Sequence, residues 1–66
     1  MNTAIAPRLF GVQEAAAYIN MSVHTVYTMV SQRRIPFVKM GRLTKFDVTE
    51  LDRWIKKNTT MPKTAT

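Results

Sequence analysis

Apolar residues recur at helical spacing in two neighbouring segments of the chain. In the first segment they fall at positions i, i+3, i+4 and i+7, which is one face of an α-helix. They are Val12, Ala15, Ala16 and Ile19. We expect Gly11 to begin this helix, Glu14 to lie favourably at the positive end of its dipole, and Asn20 to end it.

The second segment repeats this spacing after a turn of about three residues, 20–22. Ser22 is expected to cap the new helix, because its hydroxyl can accept a hydrogen bond from the first exposed backbone N–H groups. Several β-branched residues here would also suit a strand, so the periodicity and the cap decide for a helix. Its apolar face is predicted to hold Val23, Val26, Tyr27 and Val30. Two helices joined in this way make a helix-turn-helix.

A hairpin and a third helix follow. Pro36 prevents helix continuation, and two short β-prone runs, 37–40 and 43–46, flank Gly41 and Arg42, which predicts a β-hairpin. Asp47 and Glu50 are expected to form a capping box that opens the third helix. The apolar face of that helix carries Val48, Leu51 and Ile55, with Trp54 beside it.

The predicted fold class is therefore mainly α with a small β-hairpin. It is a winged helix-turn-helix, which consists of the helix-turn-helix, a two-stranded wing and a C-terminal helix. We expect one domain over residues 8–57, between a flexible N-terminus, 1–7, and a flexible C-terminal tail, 58–66. A chain of 66 residues can build only one small core.

Positive charge is concentrated in the middle of the chain. The net charge is +6, and residues 15–46 carry +5 of it because they contain five cations and no acid. These cations are Arg33, Arg34, Lys39, Arg42 and Lys45. Such a balance implies a polyanionic partner, either nucleic acid or an anionic membrane surface.

The amino-acid composition argues against a catalytic site and against a metal site. The chain has no cysteine, one histidine and four acids, too few and too scattered for a metal site, and no credible nucleophile set is present. We therefore expect no catalytic residue, no metal, no cofactor and no enzyme. Three methionines are expected to fill gaps in the core, Met21, Met29 and Met40. No secretory signal or membrane span is visible, so a cytoplasmic protein without membrane contact is expected.

The polar face of the second helix is the first candidate for DNA contact. Its side chains can donate and accept hydrogen bonds, a helix fits the major groove, and residues near its N-terminus reach base edges best. They are His24, Thr25, Thr28, Ser31 and Gln32. The simpler interpretation is the solvated face of an amphipathic helix. The short turn before this helix and the basic residues after it favour DNA.

The hairpin is the second candidate, because Lys39, Arg42 and Lys45 lie on or beside its turn. A projecting basic hairpin next to a helix-turn-helix is typical of a wing, which contacts phosphates or an adjacent minor groove. These cations can also protect an exposed strand edge from aggregation, and the two roles are compatible.

Several short pieces of the chain match one known pattern in order and spacing. They are Val12-Gln13-Glu14-Ala15-Ala16 with Tyr18-Ile19, Met21-Ser22 with Thr25-Val26-Tyr27, Arg34-Ile35-Pro36, Val38-Lys39-Met40-Gly41-Arg42, and Lys45-Phe46 with Asp47 through Leu51-Asp52-Arg53-Trp54-Ile55. The stretch from Leu9 to Lys57 resembles the excisionase-type helix-turn-helix family, winged DNA-binding domains related to the N-terminal domain of MerR-type regulators.

This resemblance implies that the second helix lies in the major groove and that the hairpin is the wing. The implied contacts of the recognition helix are Ser22, Val23, His24, Thr25, Tyr27 and Thr28, and those of phosphate and wing are Arg33, Arg34, Lys39, Arg42 and Lys45. Family members often carry arginine where this chain has Val23 and Thr28, and an aromatic residue where it has Thr44. Affinity is therefore expected to depend more on Arg33, Arg34 and the wing.

Members of this family often come from phages and other mobile elements. They act as recombination directionality factors on attachment-site DNA and recruit an integrase, and some regulate transcription. The resemblance thus implies double-stranded DNA and an integrase or recombinase as partners, and a cytoplasmic, nucleoid-associated protein of bacterial or phage origin. Because so small a domain makes only a small interface with DNA, cooperating copies of the chain are also expected. Three alternatives stay open: a small transcriptional regulator, a basic protein–protein interaction or adaptor module, and an RNA-binding protein.

Overall fold

The computed structural model describes residues 8–62 of the chain. They form three helices and a three-stranded antiparallel sheet of order β1-β3-β2. The elements are β1 Leu9–Phe10, α1 Val12–Tyr18, α2 Val23–Ser31, β2 Val38–Met40, β3 Leu43–Asp47 and α3 Val48–Lys57. The predicted fold class, a winged helix-turn-helix, is confirmed. The predicted flexible segment 1–7 lies outside the described residues, as do residues 63–66 of the predicted tail.

The ends of α1 and α2 follow from local hydrogen bonds. The Glu14 carboxylate accepts a bond of 2.8 Å from the Gly11 N–H, which satisfies a free donor at the start of α1. After α1, Asn20 takes a left-handed conformation with φ 59°, and the N–H of Met21 then reaches the carbonyl of Ala16 at 2.9 Å. The predicted cap of α2 is confirmed, because the Thr25 N–H donates to Ser22 Oγ at 3.1 Å.

The start of α3 is capped by Asp47, but without the predicted capping box. The Asp47 carboxylate accepts from the Thr49 N–H at 3.0 Å. Glu50 is not part of the cap, since its carboxylate forms an ion pair of 2.9 Å with Arg53. Residues three apart on a helix lie on the same face, so Glu50 can reach Arg53. It forms this ion pair instead of accepting a hydrogen bond from the Asp47 backbone N–H, as a capping box would require.

A short strand that the sequence pattern does not predict, β1, begins the described domain. Leu9 pairs with Asp47 and Phe10 with Phe46, so β1 covers the edge of β3 that β2 leaves free. The Arg8 guanidinium holds the Asp47 carboxylate through Nε and one terminal nitrogen, at 3.0–3.2 Å. Hydrogen bonds from Arg8 lower the pKa of Asp47 below its ordinary value.

The core lies between α1, α2, α3 and one face of β3. The buried residues among those described are Ala15, Ala16, Val26, Met29, Ile35, Phe46 and Leu51. Three residues expected inside are not buried, since Met21, Met40 and Ile55 expose 40–49% of their surface. Ile55 is turned about 100° from Trp54, which packs against the core in its place.

Tyr18 and Asp52 connect the end of α1 to α3. The tyrosine hydroxyl donates to the Asp52 carboxylate at 2.6 Å, and its ring meets Phe10 edge to face with the centroids 5.2 Å apart. The hydrogen bond to Asp52 raises the pKa of Tyr18. The Asp52 carboxylate is thereby turned toward α1.

Candidate nucleic-acid interface

The N-terminal half of α2 presents a small polar surface to solvent. Ser22, His24 and Thr25 are exposed, and Thr28 is half-buried. Ser22 Oγ accepts from the Thr25 backbone and donates to Thr25 Oγ1 at 2.8 Å. Because the Thr25 hydroxyl accepts this bond, its own proton stays free for an external acceptor such as a base edge or a phosphate oxygen.

The other serine and threonine hydroxyl groups of α2 donate to the backbone of the helix. Thr28 Oγ1 donates to the carbonyl of His24 at 3.1 Å, and Ser31 Oγ donates to the carbonyl of Thr28 at 2.9 Å. Both oxygens can still accept a hydrogen bond, but their protons are used within the helix. Among the serine and threonine residues of α2, Thr25 is therefore the one best placed to donate to a ligand.

Val23 and Tyr27, the two apolar members of the predicted recognition surface, have different surroundings. Val23 is half-buried and packs against the core. Tyr27 exposes 55% of its surface, so its predicted place on the buried face of α2 is wrong. The buried face is centred on Val26 and Met29, and position 27 is turned about 100° away from position 26.

The wing consists of β2, β3 and the two-residue turn Gly41–Arg42. Gly41 has φ 63°, a conformation that glycine adopts without strain, and Arg42 is exposed at the tip. Lys39 pairs with Thr44, whereas Lys45 pairs with Val38. Because side chains alternate along a strand, Lys39 and Lys45 lie on opposite faces of the hairpin.

Lys45 lies near the start of α1 rather than at the tip of the wing. It is half-buried, and its ammonium nitrogen is 3.9 Å from the position that a Cβ on Gly11 would occupy. The exposed cations of the wing are thus Lys39 and Arg42. The three wing cations that the sequence groups together do not form one surface.

Arg33 and Arg34 lie at the opposite end of α2 from the polar surface. Eleven positions separate Ser22 from Arg33, which corresponds to about 16 Å along a helix axis. Arg34 donates to the Gln32 side chain at 2.9 Å, and its carbonyl accepts from Trp54 Nε1 at 2.9 Å. The two arginines therefore lie against α3, and the cavity beside them has no lining residue from the wing.

The cations of residues 33–45 carry no neutralising acid. Within residues 8–62 the ion pairs are Arg8–Asp47 and Arg53–Glu50, and both arginines belong to other parts of the chain. The positive charge of the central segment is thus available to an anionic ligand.

Comparison with known protein families decides the class of this domain. The family model described as helix-turn-helix domain matches residues 9–59, about three quarters of the chain. The chain belongs to this helix-turn-helix domain family. Members of the family are DNA-binding domains, and the polar surface of α2 lies on the second helix of the motif, the helix that helix-turn-helix domains as a class place in the major groove. No curated protein and no solved structure matches the chain.

Helix-turn-helix domains as a class bind DNA rather than catalyse reactions, and DNA is the partner that this family indicates. Among residues 8–62, no helix has the length and apolar character needed to cross a bilayer.

One group of potentially functional residues was missed by the sequence patterns. Glu50, Arg53, Trp54 and Lys57 share one face of α3 at spacings of i, i+3, i+4 and i+7, and they line the cavity next to Arg33 and Arg34. Their helical spacing was available in the sequence. What the sequence did not show is that this face of α3 lies against the end of α2.

Proposed function

We propose that this protein recognises a specific sequence in double-stranded DNA, with α2 in the major groove and the wing on the adjoining backbone. The observation that carries this proposal is the exposed Ser22–Thr25 pair at the start of the second helix of the motif. It leaves the proton of the Thr25 hydroxyl available to a ligand, and the N–H groups of Val23 and His24 at the helix start have no partner within the helix. The bond from the Thr25 N–H also caps α2, so the feature that supports DNA contact is the second bond, between the two hydroxyl groups.

Each part of the surface has a distinct proposed role. His24, Thr25, Tyr27 and Thr28 contact base edges, and Ser22 and the start of α2 contact a phosphate. Val23 contributes apolar contact through the part of its side chain that the core leaves exposed. Lys39 and Arg42 contact phosphates from the wing, with Lys45 as a contact on its other face. The long-range attraction of all these cations speeds association with DNA.

We further propose that the protein is an excisionase-like recombination directionality factor of a phage or mobile element. It binds attachment-site DNA in the cytoplasm, next to the nucleoid, and assists an integrase. The order and spacing of the motifs from Val12 to Ile55 support this assignment. Single DNA-binding modules bury only about 600–1,000 Å² of surface, so strong binding requires cooperating copies or a recombinase partner.

The target sequence is found by selecting bound duplexes from a random pool and mapping the recovered motif onto the source genome. A repeated motif beside an attachment site supports the excisionase function. A motif confined to promoters replaces that function with transcriptional regulation, which uses the same surface. Failure to retain any duplex at low salt contradicts DNA binding itself.

Two substitutions then test the roles within the surface. Thr25→Ala is expected to reduce discrimination between the selected site and a random duplex, since base contacts specify and phosphate contacts position. Arg42→Ala is expected to weaken binding to both duplexes equally and to reduce the slope of log affinity against log salt by about one unit. Lys56→Ala, which removes an exposed cation from α3, is the control for loss of net charge. Equal losses on both duplexes for Thr25→Ala, or an unchanged slope for Arg42→Ala, would refute the respective role.

A further inference from the structure

A concave surface with a volume of about 620 Å³ lies between the end of α2 and α3. One wall is the loop Arg33–Pro36, and the other is the face of α3 that carries Glu50, Arg53, Trp54 and Lys57. We call this surface the basic groove.

The rim of the basic groove is strongly positive. Four cations surround it, Arg33, Arg34, Arg53 and Lys57, against a single acid, Glu50. Glu50 is paired with Arg53, but the two side chains are 46% and 72% exposed, and an ion pair so exposed is easily exchanged for another. Two other acids of α3 and its cap, Asp47 and Asp52, are bonded to Arg8 and Tyr18 and do not line the groove.

The floor of the basic groove is apolar and held in place. Ile35 is buried, and Pro36 and Trp54 are half-buried. The Trp54 indole donates to the Arg34 carbonyl, so the loop and α3 are joined directly across the floor. A floor fixed in this way binds an apolar side chain at a lower entropic cost than a mobile one does.

The backbone at the rim supplies an independent indication of function. Arg33 has φ 56°, in the left-handed region where a residue with a Cβ is strained and glycine is usual. Arg34 donates its N–H to the Met29 carbonyl at 2.8 Å, which is the bond that this conformation completes at the end of α2. A cation at a position where glycine would relieve strain suggests that the side chain is retained for binding.

We propose that the basic groove binds an acidic peptide segment of a partner protein, with one apolar side chain on Trp54 and Pro36 and flanking carboxylates on the four cations. Duplex DNA is a poorer fit, because its phosphate backbone offers no large apolar side chain for the floor formed by Pro36 and Trp54. Arg33 and Arg34 are thereby assigned to the partner, and the proposal does not depend on which DNA sequence α2 binds.

The experiment starts from a phage-displayed library of random 12-residue peptides selected on the full chain. Enriched peptides are expected to combine several acids with one large apolar residue. Binding of the synthetic peptides is then followed through Trp54, the single tryptophan of the chain, by its fluorescence and by the NMR signal of its indole N–H. Selection of peptides without acids, or binding that leaves both Trp54 signals unchanged, would overturn the proposal.

Two neighbouring lysines provide a matched pair of variants. Lys56 and Lys57 are both exposed in the last turn of α3, but only Lys57 lines the groove. Lys57→Glu is expected to weaken peptide binding at least tenfold, and Lys56→Glu less than threefold. Equal losses would show a general attraction between opposite net charges and would refute a defined site. Circular dichroism of both variants shows whether each remains folded.

The same two variants distinguish a peptide site from a nucleic-acid site. Affinity for the selected duplex is expected to fall equally in Lys57→Glu and Lys56→Glu, since neither lysine belongs to the proposed DNA surface. A selectively larger loss in Lys57→Glu would make the groove a DNA contact and would overturn the peptide assignment. Tight binding of single-stranded oligothymidine that changes the Trp54 signal and displaces the peptide would reassign the groove to single strands. If the unmodified protein binds the peptides but no duplex, the proposal of DNA recognition by α2 is refuted and the proposal of a peptide site in the basic groove is supported.

Discussion

The strained backbone at Arg33 leads to a quantitative prediction about stability. Arg33→Gly removes a Cβ from a residue with φ 56° and leaves both backbone hydrogen bonds at the end of α2 intact. The left-handed conformation costs a residue with a Cβ about 1–2 kcal/mol. Part of this relief of strain, about 0.5–1 kcal/mol, is offset because glycine loses more backbone conformational freedom on folding than other residues do. The variant is therefore expected to be more stable by about 0.5–1 kcal/mol, a rise in Tm of about 2–8 °C for a domain of this size.

Three controls separate backbone strain from charge and from general mobility. Arg33→Ala removes the same charge but keeps the strain, so it is expected to leave Tm close to its original value. Asn20→Gly, at φ 59°, is expected to gain less, because asparagine tolerates this conformation. Gly41→Ala is expected to lose about 0.5–1 kcal/mol, the opposite sign, since a Cβ at Gly41 meets no atom within 4 Å and only the conformation opposes it.

Thermal unfolding followed by circular dichroism at two salt concentrations measures these differences. A lower Tm for Arg33→Gly, or an equal rise for Arg33→Gly and Arg33→Ala, would refute the reasoning from backbone strain. The same glycine variant is expected to bind the enriched acidic peptides more weakly, because it lacks one cation of the rim. Higher stability with weaker binding is the combination expected when strain is retained for function.

Two further predictions concern the packing around α3. Arg8 depresses the pKa of Asp47, so this carboxylate stabilises the folded state fully at pH values above 3.8, its ordinary pKa, and loses that contribution as the pH falls through the lower folded value. The variant Asp47→Asn keeps the cap of α3 but cannot titrate. Tm is therefore expected to fall more steeply in this acid range for the unmodified chain than for Asp47→Asn. Parallel profiles of Tm against pH would contradict the pairing of Asp47 with Arg8. Leu51→Ala opens a cavity at a fully buried position and is expected to cost about 2–5 kcal/mol, comparable with the whole stability of so small a domain. Retention of a cooperative unfolding transition near the original Tm would contradict this estimate.

Local patterns in the sequence predicted most of the fold. Three helices and a hairpin followed from apolar spacing and from caps such as Ser22, because both depend on residues within about one helical turn of each other. The strand β1 was missed, since two residues cannot show an alternating pattern and β1 exists only because β3 offers it an edge. The exposure of Tyr27 was also missed. Its spacing places it at the margin of the apolar face of α2, where burial depends on which residues of other elements pack against it.

The contacts that assemble the candidate sites are of long range and were not accessible to spacing arguments. Trp54 and Arg34 are 20 positions apart, and their hydrogen bond is what joins α3 to the end of α2. Lys39 and Lys45 were grouped by proximity in the sequence, whereas the register of the hairpin puts them on opposite faces. A count of charges along the chain predicted a polyanionic partner, which agrees with the DNA that the family indicates. The count did not predict which cations share a surface.

The segment 47–57 shows why a count of charges along the chain misleads in this domain. Its three acids and three cations cancel, so it contributed nothing to the central positive charge. In the folded chain Asp47 is bonded to Arg8 and Asp52 to Tyr18, away from the groove, while Arg53 and Lys57 face it. This formally neutral segment thus adds Arg53 and Lys57 against the single acid Glu50, a net charge of +1, to the surface that holds Arg33 and Arg34. Because the polar surface at the start of α2 lies about 16 Å from this end, the proposed DNA surface and the proposed peptide groove lie at opposite ends of one helix, and one chain has room for both ligands at once.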